Sequence, residues 1–557
     1  MIGVVAKADQ RAAVEEFFQL FKTPWEFHRP GRTYDVVVAT ADEIPAIEAR
    51  LLVVYGAALT SRDGRAGVGA RALHRGASLA YRGAPLPIYG EVLTFEAPNG
   101  AADPCVTMGA EAAGLRIAGA DGTVIRLGYD LFREVELLLS VGQPPEHAAS
   151  PTLDVHIMML REWILSAGIT LVEIPPTPAG YGCVVCLTHD IDFAGIRNHR
   201  FDHTMWGFLY RSTVGALRNR LRGRLSTSEL LQSWRAAASL PFVHLGWVRD
   251  FWEPFGWYLN VERNRPATYF VIPFKGRPGD KVAGGHASRR AAAYDLGELA
   301  DGTTMLLKDG CELGVHGIDA WHSAEKGRDE ASRIAAVSGE SRIGIRMHWL
   351  LRDENTFRVL EDAGYDYDSS VGYNETIGYR SGTTQVFRPS GACALLELPL
   401  HIQDGALFFH NRLDLSQADA WRRCAALLDH AGALGGVLTV LWHDRSHGPE
   451  RFWGDFYVRL LDAVSALGGW FGTAGQVVGW FRKRREVGFE RVEAADGTAR
   501  TRLSYRGEPV SPALTIRVHR PSAGGSVFVD TAWNGATPVD LDPSWLAAEA
   551  TAGASLR

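Results

Sequence analysis

A chain of 557 residues is too long for one ordinary core and predicts two to four domains, here three. Its 46% hydrophobic and 22% charged residues give the balance of a globular protein, and a formal net charge of −6 without a long Lys/Arg run excludes a basic face for nucleic acid. Residues 1–22 carry Asp9, Glu15 and Glu16 and no apolar run of signal-peptide length, and no later stretch nears the roughly 20 apolar residues that cross a bilayer, so a cytoplasmic location without a transmembrane segment is expected.

In residues 1–180, strand-like runs (34–39, 49–55, 168–174) alternate with helical ones (12–21, 153–167), which predicts an N-terminal α/β domain. Its Gly- and Ala-rich middle offers no site. A cluster of breakers, Pro175, Pro176, Pro178, Gly180 and Gly182, marks its end. From Cys183 onward, short apolar strands alternate with amphipathic helices, the pattern of parallel strands with helices outside. The predicted strands are 183–188, 267–272, 312–316, 341–348, 395–400 and 437–443. The helix at 416–430 starts at a capping Ser416 and sets Trp421, Cys424, Leu427, Leu428 and Ala431 on a core-facing side. After Lys483-Arg484-Arg485 the helices stop, and runs at 502–505, 514–519 and 526–530 predict a small β-rich domain. The expected division is 1–180, 181–485 and 486–557.

Six scattered cysteines are not a disulfide scaffold. Cys183-Val-Val-Cys186 has the C-x-x-C form, but it lies in an apolar strand without a second Cys/His pair, where cysteine is a small core residue.

Chemistry gathers at the C-terminal ends of the predicted strands. The first continues into His189-Asp190-Ile191-Asp192, and in extended chain residues two apart point the same way, so Asp190 and Asp192 present two carboxylates to one place. Neighbouring carboxylates repel unless a cation lies between them or one holds a proton, which suits one metal ligand and one general base. Alternatively, Asp192 caps the following helix and Asp190 is solvated. The third strand ends on His316, with Asp319 and His322 beyond it. The fourth puts Arg346 and His348 on one face, and an inward guanidinium needs carboxylate partners. The last ends on His443. Acids and imidazoles at four strand ends suggest one site at a barrel rim. The aromatic segment 247–258 offers Trp252 and Trp257, and Trp349 follows His348; these are candidates to stack on a sugar, against the alternative of a packed insertion covering the barrel.

Thr188-His189-Asp190-Ile191-Asp192 resembles the T-F-D-D-G signature of polysaccharide deacetylases, the NodB homology domain, in a variant with one residue between the aspartates. Ala267-Thr268-Tyr269-Phe270-Val271 resembles that family's A-T-F-F-V strand, and Tyr367-Asp368-Ser369-Ser370 its Y-D-S-S segment. Arg346-Met347-His348-Trp349 stands where the family has R-x-P-Y, and Leu441-Trp442-His443 resembles its final L-x-H. The resemblance implies a distorted (β/α) barrel, usually of seven strands, that holds a divalent metal, zinc above all, and hydrolyses an acetylated carbohydrate, N-acetylated before O-acetylated. It implies Asp190 as general base, Asp192 and His316 as metal ligands, Arg346 as the group that orients and tunes Asp190, and His443 as general acid. The usual second motif, H-S/T-x-x-H, would need histidine at 320, where this chain has Ala320. The third ligand is therefore His348 or His322, with His348 preferred. Alternative functions are a related C–N hydrolase on the same barrel, or a degenerate carbohydrate-binding module without metal.

Overall fold

The structure, a computed structural model, describes residues 1–41, 44, 47–96, 102–119, 122–281, 287–493, 499–522 and 525–541. Val184–Ile191 (β1) is buried along its whole length, as a strand covered on both faces must be. It pairs in parallel with Ala267–Val271 (β2) on one side, Asp190 opposite Phe270. Beyond β2 follow Glu312–Gly317 (β3), Gly344–Met347 (β4), Tyr367–Asp368 (β5) and Leu396–Glu397 (β6), all parallel. On its other side β1 pairs with Val437–Leu441 (β8), and Ile402–Gln403 (β7) pairs with β8. The order is therefore β6-β5-β4-β3-β2-β1-β8-β7. The edge strands β6 and β7 are consecutive in the chain, joined by residues 398–401, so the curved sheet is a half-barrel whose open edges are tied to each other.

Parallel neighbours need long crossovers, and helices supply several of them. Ala300–Lys308 leads into β3, Ala324–Ser338 into β4, Thr356–Ala363 into β5 and Gln417–Leu434 into β8. The last begins where expected, its Ser416 hydroxyl accepting the Asp419 amide at 3.1 Å, and buries Cys424, Leu427, Leu428 and Ala431. Every β-strand thus starts at one end of the barrel and finishes at the other, and Asp190, His316, His348 and His443 all fall at the finishing rim. Four strands are shorter than expected, the fourth and fifth most of all. The fourth covers only Gly344–Met347, because the chain turns at His348–Leu350 with Trp349 (φ 67°) and Leu350 (φ 53°) left-handed. The fifth expected strand is only Leu396–Glu397, since the chain leaves the sheet at once to cross to β7.

Residues 2–127 carry a nine-stranded sheet, parallel through Trp25–Phe27, Ile2–Val5, Val36–Ala39, Leu51–Tyr55 and Thr123–Leu127 and antiparallel beyond. Its Gly/Ala-rich middle forms a hairpin, Gly69–Tyr81 with Ala84–Glu96, closed by Arg82 (φ 49°) and Gly83 (φ 82°), the two left-handed residues a type I′ turn requires. Leu171–Glu173 pairs antiparallel with Leu514–Ser522, whose partner is Gly525–Trp533, while Gly488–Glu493, Ala499–Ser504 and Val539–Leu541 make a second small sheet. The buried Arg484 donates to the carbonyls of Gln19, Leu20, Ile174 and Pro175, joining the helix Ala474–Arg485 to the first segments of the chain. Cys183 and Cys186 are free and buried, and burial pushes the Cys183 thiol up to about 11. Among the described residues, no helix is long and apolar enough to cross a membrane.

Candidate metal centre

Three strand ends meet at Asp192. His316 Nε2 lies 3.3 Å and His348 Nε2 3.5 Å from Asp192 Oδ1, and one ligand atom from each of the three residues falls within 4.8 Å of the others. Among the described residues this is the one group of His, Cys, Asp or Glu that converges in this way. The His316 ring makes its Nδ1 contact to the Arg346 carbonyl at 3.0 Å. A carbonyl can only accept, so Nδ1 carries a proton and Nε2 is the nitrogen turned toward Asp192. Burial pushes the His348 imidazole down to about 3, outweighing the pull of Asp192, which leaves that ring neutral. Burial also pushes the Asp192 carboxyl up, but His348, His316 and His443 outweigh it and hold it below the ordinary carboxylate range. Asp192 Oδ1 and His348 Nδ1 are buried without a hydrogen-bond partner. A buried carboxylate oxygen without a hydrogen-bond partner, facing two imidazole nitrogens, fits a divalent cation, and the two-nitrogen, one-oxygen set suits zinc or a similar ion.

Asp190, one pleat below, is 3% exposed and differently held. Arg346 donates to its Oδ1 at 3.0 Å, to Thr188 Oγ1 at 2.8 Å, and to the carbonyl and hydroxyl of Ser369 at 3.0 and 2.9 Å. With Phe270 under its face at 4.5 Å, the guanidinium is fixed in place. Ser369 is set by the segment 367–370, in which the Ser370 hydroxyl donates to Asp368 at 2.5 Å and accepts the Met347 amide at 2.8 Å. Asp368 faces Glu397 across β5 and β6, and burial, then Asp368, raise the Glu397 carboxyl well above its ordinary value, so this pair shares a proton.

His443 closes the other side. Its Nδ1 meets Asp404 Oδ1 at 2.5 Å, its amide donates to Asp404 Oδ2 at 2.8 Å, and the Ser446 hydroxyl also donates to Oδ2. Burial alone would lower this imidazole, but Asp404, followed by Asp192 and Asp190, raises it to about 9. The next residue, Asp444, accepts the amides of Phe193 and Ala194 at 2.7 Å each and so pins the turn that follows Asp192. His189 stands where the family signature has phenylalanine. It is buried between the Trp442 carbonyl and Glu262, each at 2.8 Å, and Tyr457 also donates to Glu262.

Asp190, Asp192, His316, His348, Trp349 and His443 line one cavity of about 410 Å³, within the ordinary range of small-molecule pockets, about 300–1,000 Å³. His322 does not join them: its Nε2 pairs with Asp319 Oδ1 at 3.1 Å, in a group that also includes Lys326. The chain turns at Gly317 into a loop that carries His322 away with Asp319. Two of the three expected tryptophans also lie elsewhere. Trp252 is wholly buried with its Nε1 on Glu450, and Trp257 stacks on His447 at 4.8 Å beside a different hollow. Both belong to a packed insertion, which is why their rings are used up by protein neighbours. Trp349, 38% exposed, reaches the cavity. Sequence reasoning missed Asp404, which opens the helix Asp404–Phe408 directly after a two-residue strand that gives no periodic signal, and Asp444, which stands in the open as the second half of a His-Asp pair at a strand end.

No family model and no curated protein matches the chain. Among solved structures it is similar to one described as a polysaccharide deacetylase from Mycobacterium smegmatis, at 17% identity and a TM-score of 0.33, over 56% of this chain and 95% of that one. It is also similar to Puue allantoinase, at 13% identity and a TM-score of 0.34, over 55% of this chain and 92% of the other. A third is described as a polysaccharide deacetylase from Pseudomonas aeruginosa PAO1, at 13% identity and a TM-score of 0.32, over 54% and 92%. Polysaccharide deacetylases are thus both the family whose motifs the sequence resembles and the class named for two of these structures. The chemistry of the site rests on this chain's own residues.

Proposed function

We propose that residues 181–485 form a metal-dependent hydrolase that removes acetyl groups from an N-acetylated, less readily an O-acetylated, carbohydrate, with 1–180 and 486–557 as flanking domains. The observation that carries this reading is the convergence of Asp192, His316 and His348 beside an Asp190 clamped by Arg346 and a His443 clamped by Asp404. Held by the first three side chains, a divalent cation, zinc in the first place, would supply Lewis acidity toward water and the acyl carbonyl.

The chain's other groups handle the protons. Asp190 has one oxygen on Arg346, which leaves the other to accept the proton of the attacking water as general base. Arg346 keeps that carboxylate in one orientation and acts through it as a positioning residue. His443 has its Nδ1 on Asp404, which leaves Nε2 to donate to the departing nitrogen as general acid. The pull of Asp404 keeps the ring protonated at neutral pH, as a donor must be. Acetate and an amine leave the site.

Metal content of the purified protein, measured together with acetate release from a panel of acetylated sugars, tests the reading. One divalent ion per chain and chelator-sensitive, metal-restored acetate release are expected. Acetate release that is indifferent to chelation, or none from any sugar by metal-loaded protein, would overturn it.

A further inference from the structure

Part of the same cavity wall is made of guanidinium groups. Arg211, from the turn Arg211–Gly215 that follows the helix His203–Tyr210, faces it together with Arg445 and Arg451 from the loop after β8. Arg211 Nε and Nη2 and Arg445 Nε are buried with no hydrogen-bond partner. Aromatic faces hold two of these side chains. Arg445 lies 3.8 Å from the ring centre of Phe193 and 4.9 Å from that of Trp252, and Arg451 lies 4.9 Å from Phe409 and 4.7 Å from Trp453. A ring face attracts the cation but leaves the N–H edge of the guanidinium free for an acceptor. Arg290 in the same wall differs in that both its Nη groups are taken by the Pro278 and Ile318 carbonyls, leaving only Nε unpaired, and Arg346 is satisfied throughout.

The nearby acids are partly used: Glu450 Oε2 accepts the Trp252 indole N–H at 3.0 Å, and Asp444 accepts the amides of Phe193 and Ala194. Asp202, also in the wall, is engaged by His199 at 2.7 Å. These acids offset much of the positive charge, yet Arg211 Nε and Nη2 and Arg445 Nε remain unpaired. Buried N–H donors left unpaired beside the proposed site invite an acceptor.

We propose that Arg211, Arg445 and Arg451 form an oxyanion-binding subsite, and that the substrate is an acetylated sugar carrying a phosphate group. This rests on the deacetylase reading above and names its substrate class. A phosphate monoester carries a charge of about −1.5 to −2 at neutral pH and three acceptor oxygens, which suit the free N–H edges of three guanidinium groups. A sugar carboxylate has only two oxygens to offer them. Burial first, then Arg451 and Arg211, push the Arg445 guanidinium well below its ordinary value, and Glu450 and Asp444 offset them only in part.

The test uses the metal-loaded full chain. Calorimetric titration with inorganic phosphate is expected to show binding that Arg451→Gln and Arg211→Gln each weaken by about 10- to 100-fold, the scale of one charge-assisted hydrogen bond, with metal content retained. Arg451→Lys should fall between, because it keeps the charge and loses the fork. Acetate release by the wild type is expected to favour N-acetylglucosamine 6-phosphate or 1-phosphate over N-acetylglucosamine by a similar factor. Absence of phosphate binding by the wild type, or equal rates on neutral and phosphorylated sugars, overturns the proposal while the deacetylase reading stands; this arm needs no variant to fold. Preference for an N-acetylated uronic acid overturns the phosphate assignment. If phosphate binds and the variants lose it, yet no sugar releases acetate, the deacetylase reading falls and the anion subsite stands.

Discussion

Two groups of acids and imidazoles stand on the rim of the same barrel, and the protein satisfies one and not the other. At the end of β8, Asp404 receives the His443 ring, the His443 amide and the Ser446 hydroxyl, so each acceptor has a proton facing it. At the ends of β1, β3 and β4, Asp192 Oδ1 meets the Nε2 atoms of His316 and His348 without a hydrogen-bond partner. The difference comes from the far nitrogen of each ring. His443 Nδ1 rests on a carboxylate, which favours a second proton on the imidazole, whereas His316 Nδ1 rests on a carbonyl, which fixes one proton and frees Nε2 as a ligand. In the proposed reading, identical residue types therefore serve as proton donor in one place and metal ligand in the other.

The sharpest way to break this comparison is to remove the acceptor set. Asp192→Ala is expected to lose bound metal and acetate release together, and His348→Ala to lower zinc affinity by about three orders of magnitude or more, the scale of losing one of three first ligands. Equilibrium zinc titration checks both. Full metal content in Asp192→Ala would dissolve the distinction between the two groups.

Next in size are the proton-handling groups, which should fail without losing metal. Asp190→Asn and His443→Ala should each lower turnover by about 10²- to 10⁴-fold at unchanged metal stoichiometry, because an amide cannot take the proton and a methyl cannot give one. Metal loss in His443→Ala would move it into the ligand set. Asp404→Asn should lower turnover on the same scale by depriving His443 of its orienting carboxylate.

The pH dependence sharpens the contrast further. In metal-stripped protein His443 is raised from an ordinary value of about 6.5 to about 9, so its contribution to stability is complete below the unfolded value and is lost as pH rises through about 9. The stability gap between wild type and His443→Gln, measured by denaturant unfolding, should therefore narrow in that window. Asp404→Asn should bring the ring's titration, followed by NMR, down. A titration that stays near 9 in this variant would mean that Asp192 and Asp190, not Asp404, govern the ring. The smallest effect belongs to His322→Ala, expected to change zinc affinity by about tenfold or less, since His322 is paired to Asp319 outside the cluster.

Much of this site was legible in the chain because strands carry a two-residue period. Asp190 and Asp192, and likewise Arg346 and His348, share a face by local geometry alone, and apolar runs ending in acids and imidazoles announce the rim at which they meet. The hairpin in residues 69–96 was not legible, since small and half-exposed residues give no alternation to read. Where the chain leaves a strand, periodicity stops informing, and the tertiary structure alone decides. It brings Asp404 to His443 across 39 residues through the pairing of β7 with β8, sends His322 to Asp319, and buries Trp252 against Glu450 and Arg445. A side chain's partner in a loop is set by which distant elements pack beside it, and that is a property of the whole fold, not of the local sequence.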